Sequence, residues 1–185
     1  MMIPESESLH RSLITPYRVA AARSLSGLIL DCGGGLGAYL PYLQGEVVIL
    51  DRSIEALQAL SYPQSVAGDG ALLPFRDGTF DNVWACAVAQ YLDLKPFLAE
   101  LMRVTKPGGR VLVLVPNGKS IWDRLKRLAG LPTWWDQEGI KRQYSLDDLR
   151  PYGAVTGEIR FLPGERWLRR FPQLGHTLML DIQVA

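Results

Sequence analysis

Apolar runs alternate with amphipathic stretches along the first two thirds of the chain. Near-continuous apolar runs at residues 28–31, 46–51, 80–86 and 110–115 are typical of parallel strands buried on both faces. A shorter run at residues 65–69 adds a fifth strand. Because helical periodicity separates these runs, the pattern predicts right-handed βαβ units and a doubly wound α/β sheet.

The intervening segments place apolar residues at helical spacing. We expect helices at residues 9–25 with an interruption near Pro16, 36–43, 53–60, 94–104, 120–129 and 145–149. Ser53 is a suitable N-cap, and the sequence from Lys106 to Gly109 predicts a turn before the fifth strand. Beyond residue 117 the alternation changes, and two further strands are expected at residues 158–162 and 177–185.

Composition places the chain among ordinary globular proteins. Its 185 residues are 48% apolar and 21% charged, with a net charge of +1 and a mild basic bias in the last third. Two distant cysteines form neither a disulfide framework nor a metal cluster, so no metal is expected. The N-terminus lacks the pattern of a signal peptide, and no apolar run is long enough to span a membrane. We expect a single cytoplasmic domain.

A glycine-rich loop follows the first predicted strand. Its spacing is Asp31-x-Gly33-x-Gly35-x-Gly37, and the glycines allow the backbone to turn sharply and to approach a ligand closely. The loop also fits the dinucleotide fingerprint, with Ala38 in the last position. By itself the loop indicates a nucleotide-type cofactor without deciding which one.

An acid ends the second predicted strand. Asp51 can accept hydrogen bonds from both hydroxyls of a ribose, because the carboxyl ends of strands face the ligand crevice in open α/β sheets. Dinucleotides and other nucleotide-type cofactors all carry a ribose, so Asp51 does not decide which cofactor is bound.

Two later segments favour one cofactor. Residues 68–75 read Gly-Asp-Gly-Ala-Leu-Leu-Pro-Phe, and residues 100–109 read Glu-Leu-Met-Arg-Val-Thr-Lys-Pro-Gly-Gly. With the glycine loop, these segments resemble the class I S-adenosylmethionine-dependent methyltransferases, in particular the small type 11 family. The resemblance runs from about residue 28 to residue 115.

The resemblance implies S-adenosylmethionine as cofactor and a seven-stranded, mostly parallel Rossmann-like sheet that ends in an antiparallel hairpin, with helices on both faces. It implies a helical cap at 1–25, a cofactor-binding core at 26–116, a variable lid at 117–145 and the hairpin at 146–185. The expected cofactor-binding residues are Tyr17, Asp31, Cys32, Gly33, Gly35, Gly37, Asp51, Arg52, Asp69, Gly70, Ala71 and Ala87. Within this set, the Asp69 carboxylate and the Gly70 N–H match the groups that read adenine, and Asp31 helps to hold the methionine ammonium group.

Few residues are expected to act in catalysis. Gln90 and Tyr91 stand near the expected methyl-transfer point, where many relatives carry a pair of histidines, and we assign them a positioning role. His10 and His176 are the chain's two histidines, and a lone histidine is more often a surface or packing residue than a base.

The variable lid is expected to select the methyl acceptor. It contains a set of apolar residues that can form an inner face: Ile121, Trp122, Leu125, Leu128, Trp134 and Trp135. Packing against the sheet or a dimer contact is an equally ordinary role for them. We expect a small apolar or aromatic acceptor and a monomer or homodimer. A catalytically silent binding or scaffold protein, an RNA methyltransferase and an NAD-dependent oxidoreductase remain as alternatives.

Overall fold

Seven strands form one mixed sheet in the computed structural model, which describes residues 14–133, 140, 142–158, 171 and 174–185. The strands are β1 (Ser26–Cys32), β2 (Gln44–Asp51), β3 (Ser65–Ala67), β4 (Phe80–Cys86), β5 (Thr105–Pro116), β6 (Ala154–Glu158) and β7 (Thr177–Gln183). Their spatial order is β3-β2-β1-β4-β5-β7-β6. The first five pair in parallel, whereas β7 is antiparallel to both β5 and β6. The predicted fold class is confirmed.

Helices cover both faces of the sheet. They are α1 (Pro16–Ala22), α2 (Ile54–Leu60), α3 (Leu94–Val104), α4 (Ile121–Leu128) and α5 (Leu146–Leu149). Successive strand residues point to opposite faces, so Leu30 and Val83 pack with α3 and α5, while Ile29 and Trp84 pack with α1 and α2. This double burial explains why the central strands are apolar throughout.

The segment after β1 differs from the prediction. Residues 35–42 form consecutive turns, not the helix expected at 36–43. Gly35 and Gly37 have φ values of +50° and +71°, which a right-handed helix does not contain. The same glycines that suggested a ligand loop therefore prevent the helix. Strand β1 begins at Ser26, two residues before the expected start at residue 28.

The turn expected at residues 106–109 is part of β5. Phe80 pairs with Thr105 and Asn82 pairs with Arg110, so extra residues bulge out of β5 between these two pairs. A Cβ at Gly109 would lie 2.3 Å from the Asp81 carbonyl oxygen, which explains the glycine there. Residues 106–109 are thus irregular as predicted, but they form a bulge within β5 and not a turn before it.

The terminal elements are shorter or shifted relative to the predictions. Strand β6 lies at Ala154–Glu158, upstream of the expected 158–162, and residues 159–162 are outside the described part. Helix α1 begins at Pro16, and its N-cap Thr15 accepts a hydrogen bond from the Arg18 N–H. Residues 1–13, which include His10, are also outside it. No helix within the described ranges is long and apolar enough to cross a membrane.

Candidate functional site

A cavity of about 230 Å³ opens at the carboxyl ends of the first four strands. Its walls contain eight of the predicted site residues: Cys32, Gly33, Asp51, Arg52, Asp69, Gly70, Ala87 and Tyr91. Leu50, Gly68, Val88 and Leu92 complete the lining. The cavity lies where the strand order reverses between β1 and β4, the position at which open α/β sheets bind ligands.

Gly33 brings the loops after β1 and β4 together. Its N–H donates to the Leu50 carbonyl oxygen at 2.7 Å, and its φ is +76°. A Cβ at this position would lie 2.8 Å from the Cβ of Val88, so only glycine fits. On the opposite loop, Ala87 has a φ of +59°, a strained value for a residue with a side chain. Each of these two loops thus has a residue with positive φ at the cavity.

Backbone donors hold the Asp51 carboxylate in place. One oxygen accepts from the Gly35 N–H at 2.8 Å and the other from the Ser53 N–H at 2.9 Å. Each carboxylate oxygen has two lone pairs, so both retain an acceptor site. Gly35 does not line the cavity, and it affects the site only by donating this hydrogen bond to Asp51. This geometry leaves Asp51 able to accept from a diol.

Asp69 and Gly70 form the far wall of the cavity. One Asp69 oxygen accepts from the Ala71 N–H at 2.9 Å in an Asx turn, and the exposed side chain retains a second oxygen for a ligand. Gly70 is buried, and a Cβ there would lie 3.2 Å from both Leu92 and Phe97. Ala71 therefore supports the acid through its backbone and does not line the cavity.

Helix α3 anchors the loop that carries Asp69. Glu100 accepts from the Leu73 N–H at 2.8 Å, and Arg103 donates to the carbonyl oxygens of Leu73 and Phe75. The hydrogen bond from Arg103 to Glu100 holds the pKa of that carboxyl below its usual range. The Glu-x-x-Arg spacing of the motif thus has a physical role, because it places Glu100 and Arg103 one helical turn apart, where both can hydrogen-bond to the loop.

Asp31 is a buried acid without a complete set of partners. It is 2% exposed, and its Oδ2 has no hydrogen-bond partner among the residues that the structure describes. Burial first, and repulsion from Asp51 second, raise the pKa of Asp31 to about 7. A cation placed beside this carboxylate would relieve both effects.

The other predicted residues do not line the cavity. Gly37 packs against Leu60, where a Cβ would lie 3.0 Å from the leucine. The Tyr17 hydroxyl is hydrogen-bonded to Thr156. Gln90 is buried, and its Nε2 donates to the Ala87 carbonyl oxygen. Its Oε1 has no partner in the described ranges. The cofactor role of Tyr17 and the positioning role of Gln90 stay predictions.

The structure describes His176 and some of the predicted lid residues. His176 stacks on Trp122 with ring centroids 5.7 Å apart, and it does not line the cavity. Trp134 and Trp135 fall outside the described residues. The expected apolar inner face of the lid is not seen for Ile121, Leu125 and Leu128, because all three are exposed.

The sequence did not predict a buried ion pair that lies, like the cavity, at the carboxyl ends of the parallel strands. The Arg18 Nε donates to Glu158 at 2.8 Å, and a second guanidinium nitrogen donates to Thr177. The Thr15 hydroxyl also donates to Glu158. Arg18 and Glu158 are 140 residues apart, so no local pattern could reveal the pair.

The family comparison covers the same region as the cavity. Residues 30–113 match the family model described as a methyltransferase domain. The tocopherol O-methyltransferase of Arabidopsis thaliana is 28% identical over 154 residues, with 66% of this chain and 44% of that protein covered. A malonyl-[acyl-carrier protein] O-methyltransferase of Erwinia pyrifoliae is 38% identical over 117 residues, covering 56% and 45%. The chain thus spans less than half the length of these relatives.

The fold comparison extends over nearly the whole chain. A methyltransferase structure from Thermotoga maritima, described as a possible histamine N-methyltransferase, aligns with a TM-score of 0.71 and 15% identity. It covers 98% of this chain and 94% of that one. The family match includes the glycine loop, Asp51, Asp69 and the Glu-x-x-Arg clamp. The chain is therefore similar to the class I S-adenosylmethionine-dependent methyltransferases over residues 30–113, and it shares their fold.

Proposed function

We propose that this chain binds S-adenosylmethionine in the cavity and transfers its methyl group to a small apolar or aromatic acceptor. The observation that carries the proposal is the placement of three acids, Asp31, Asp51 and Asp69, at the carboxyl ends of three neighbouring strands. Each differs in environment: one is buried, one is held by backbone donors and one is exposed. The three match the three polar parts of the cofactor.

The roles of the acids follow from their surroundings. Asp69 accepts from the adenine amino group while the Gly70 N–H serves a ring nitrogen, and Asp51 accepts from the ribose hydroxyls. Asp31, whose Oδ2 has no partner among the described residues, pairs with the methionine ammonium group. The bound cofactor supplies an activated methyl group on a sulfonium, so the protein's main task is to position the acceptor.

The wall after β4 suits the acceptor. Val88, Tyr91 and Leu92 give this side of the cavity an apolar and aromatic surface. The Tyr91 hydroxyl is the polar group that we assign to orienting the acceptor, and we assign the buried Gln90 to positioning this loop through its hydrogen bond to the Ala87 carbonyl oxygen. The names of the relatives give different acceptors, tocopherol and malonyl-[acyl-carrier protein], so this choice rests on the cavity wall.

Calorimetry with S-adenosylhomocysteine and, separately, NADH tests the cofactor. We expect binding of the first and no binding of the second. The reverse result would favour the oxidoreductase alternative. Incubation of the protein and labelled S-adenosylmethionine with a cell extract, followed by mass spectrometry, then tests for a product that gains one methyl group. Tight cofactor binding without any product would support the silent scaffold instead.

A pair of glycine variants locates the site. Gly35→Val strains a backbone at positive φ and disturbs the N–H that holds Asp51, so S-adenosylhomocysteine binding should be lost. Gly108→Val imposes a similar strain, with a φ of +80° and no neighbour within 4 Å, at the opposite edge of the sheet. This control should retain binding. Equal affinity of the two variants would show that the cofactor lies elsewhere.

A further inference from the structure

Helix α4 presents its apolar side to solvent. Ile121, Leu125 and Leu128 follow the i, i+4, i+7 spacing of one helical face, and they are 45%, 51% and 85% exposed. The inward side instead carries Asp123, which is 8% exposed, and Trp122, whose indole N–H donates to the Leu174 carbonyl oxygen. The helix is therefore turned so that Trp122 and Asp123 face the protein, while Ile121, Leu125 and Leu128 face solvent.

Further exposed apolar groups extend this face. Leu131, three residues beyond the helix, is 55% exposed. The Leu174 N–H donates to the Phe171 carbonyl oxygen, which places the 44% exposed Phe171 in the turn beside Trp122. We call Ile121, Leu125, Leu128 and Leu131 the apolar stripe.

Exposed cations border the apolar stripe. Arg124, Lys126 and Arg127 are exposed, and none of them forms a salt bridge with another residue in the described part of the chain. Their helical positions place Arg124 and Arg127 along one side of the stripe, whereas Lys126 lies farther round the helix. The helix thus offers exposed hydrocarbon bordered by positive charge.

We propose that α4 docks on the surface of an anionic lipid bilayer. An interfacial helix buries an apolar stripe at the boundary of the acyl chains while lysine and arginine contact anionic headgroups. Each basic residue near such a surface strengthens binding roughly 5-fold. A stable protein interface usually takes about 20 to 30 residues a side, far more than this stripe supplies, whereas a bilayer provides anions on every side of the helix.

The position of the helix links docking to the cavity. Only four residues separate the end of β5 from the start of α4, so the helix begins at the sheet edge where the cavity opens. Docking would bring that edge to the membrane. If the proposed methyl transfer holds, an apolar acceptor could be taken from the bilayer, but the lipid contact itself does not depend on that reaction.

Vesicle sedimentation of the full chain tests the inference. We expect binding to vesicles of phosphatidylcholine with about a third phosphatidylglycerol at least about 10-fold stronger than to phosphatidylcholine alone, and weaker binding at roughly 0.5 M salt. The double variants Leu125→Gln/Leu128→Gln and Arg124→Gln/Arg127→Gln should each reduce binding about 10-fold or more. Failure of the wild type to bind the anionic vesicles would overturn the proposal.

Matched controls separate the surface from general effects. Ile54→Gln removes an apolar residue elsewhere that is about as exposed as Leu125, and Arg76→Gln/Lys95→Gln removes two exposed cations. Both should bind vesicles like the wild type. If Leu125→Gln/Leu128→Gln instead lowers the melting temperature, or abolishes concentration-dependent self-association in light scattering, the stripe packs against protein and the lipid proposal is wrong. S-adenosylhomocysteine affinity, measured on the same variants, tests the cofactor site separately and should not change.

Discussion

Asp31 and Glu158 are both buried acids at the same edge of the sheet, yet their surroundings are opposite. Glu158 is 4% exposed and receives hydrogen bonds from Arg18 and Thr15. Asp31 is 2% exposed and has an oxygen without a partner in the part of the chain that the structure describes. A buried charge needs partners, so the paired acid joins two elements of the protein, whereas the acid with an unpartnered oxygen is the one to which we assign a ligand cation under the proposed function.

The role of each acid agrees with its neighbours. Glu158 ends β6, and Arg18 comes from α1, so their ion pair ties the N-terminal helix to the C-terminal strands. Asp31 lies in β1 directly before Cys32 and Gly33, which line the cavity. Four predictions test this difference, beginning with the largest effect.

Removal of the paired acid should be the most destabilising change. Glu158→Ala leaves Arg18 buried without its counterion and should lower the free energy of unfolding by about 3–5 kcal/mol in urea denaturation. The double variant Arg18→Met/Glu158→Leu removes both charges and should recover most of that loss. Equal destabilisation by the single and double variants would show that packing, not the unpaired charge, causes the loss.

The unpaired acid should make stability depend on pH. The pKa of Asp31 is raised from an ordinary 3.8 to about 7, so its stabilising contribution is complete below pH 3.8 and is lost as the pH rises through 7. Asp31→Asn removes this titration. The stability of the variant relative to the wild type should therefore grow by about 2–3 kcal/mol between pH 5 and pH 8 in urea denaturation. A constant difference would mean that Asp31 is already ionised at pH 5.

Cofactor affinity should respond to the same substitution in the opposite sense. If Asp31 pairs with the ammonium group, Asp31→Asn should weaken S-adenosylhomocysteine binding by about 10- to 100-fold at pH 8, the usual value of a charge-assisted hydrogen bond. Wild-type affinity should rise from pH 5 to pH 7 as Asp31 ionises, and the variant should show a flat profile. Calorimetry that finds pH-dependent binding in both proteins would assign the titration to another group.

An exposed ion pair should contribute almost nothing. Lys119 and Asp147 form a salt bridge at 3.0 Å, but both side chains are 71% exposed. Lys119→Ala should change the free energy of unfolding by less than about 0.5 kcal/mol, because water already solvates both charges. A loss comparable with that of Glu158→Ala would mean that burial does not explain the difference between pairs.

Local sequence patterns located those residues of the candidate site that lie in short, recognisable segments. Asp51 and Asp69 follow strands that alternation alone locates, and both line the cavity. Gly33 was expected to permit a close approach, although its neighbour Val88 was not foreseen. The helix expected after β1 was wrong, since its hydrophobic spacing was helical but two glycines there adopt positive φ. Apolar periodicity records which side chains are buried and does not report a local backbone conformation.

The sequence by itself determined the order of strands and helices, the glycine loop and the acids at the strand ends, because each depends on residues close together in the chain. Tertiary structure decided the rest. The raised pKa of Asp31 depends on burial and on Asp51 in a neighbouring strand, and the side-chain partners of Glu158, Arg18 and Thr15, lie 140 and 143 residues away. Burial and charge pairing are properties of the assembled fold, so the same residue type, an acid near a strand end, has an oxygen without a described partner in one place and forms an ion pair in the other.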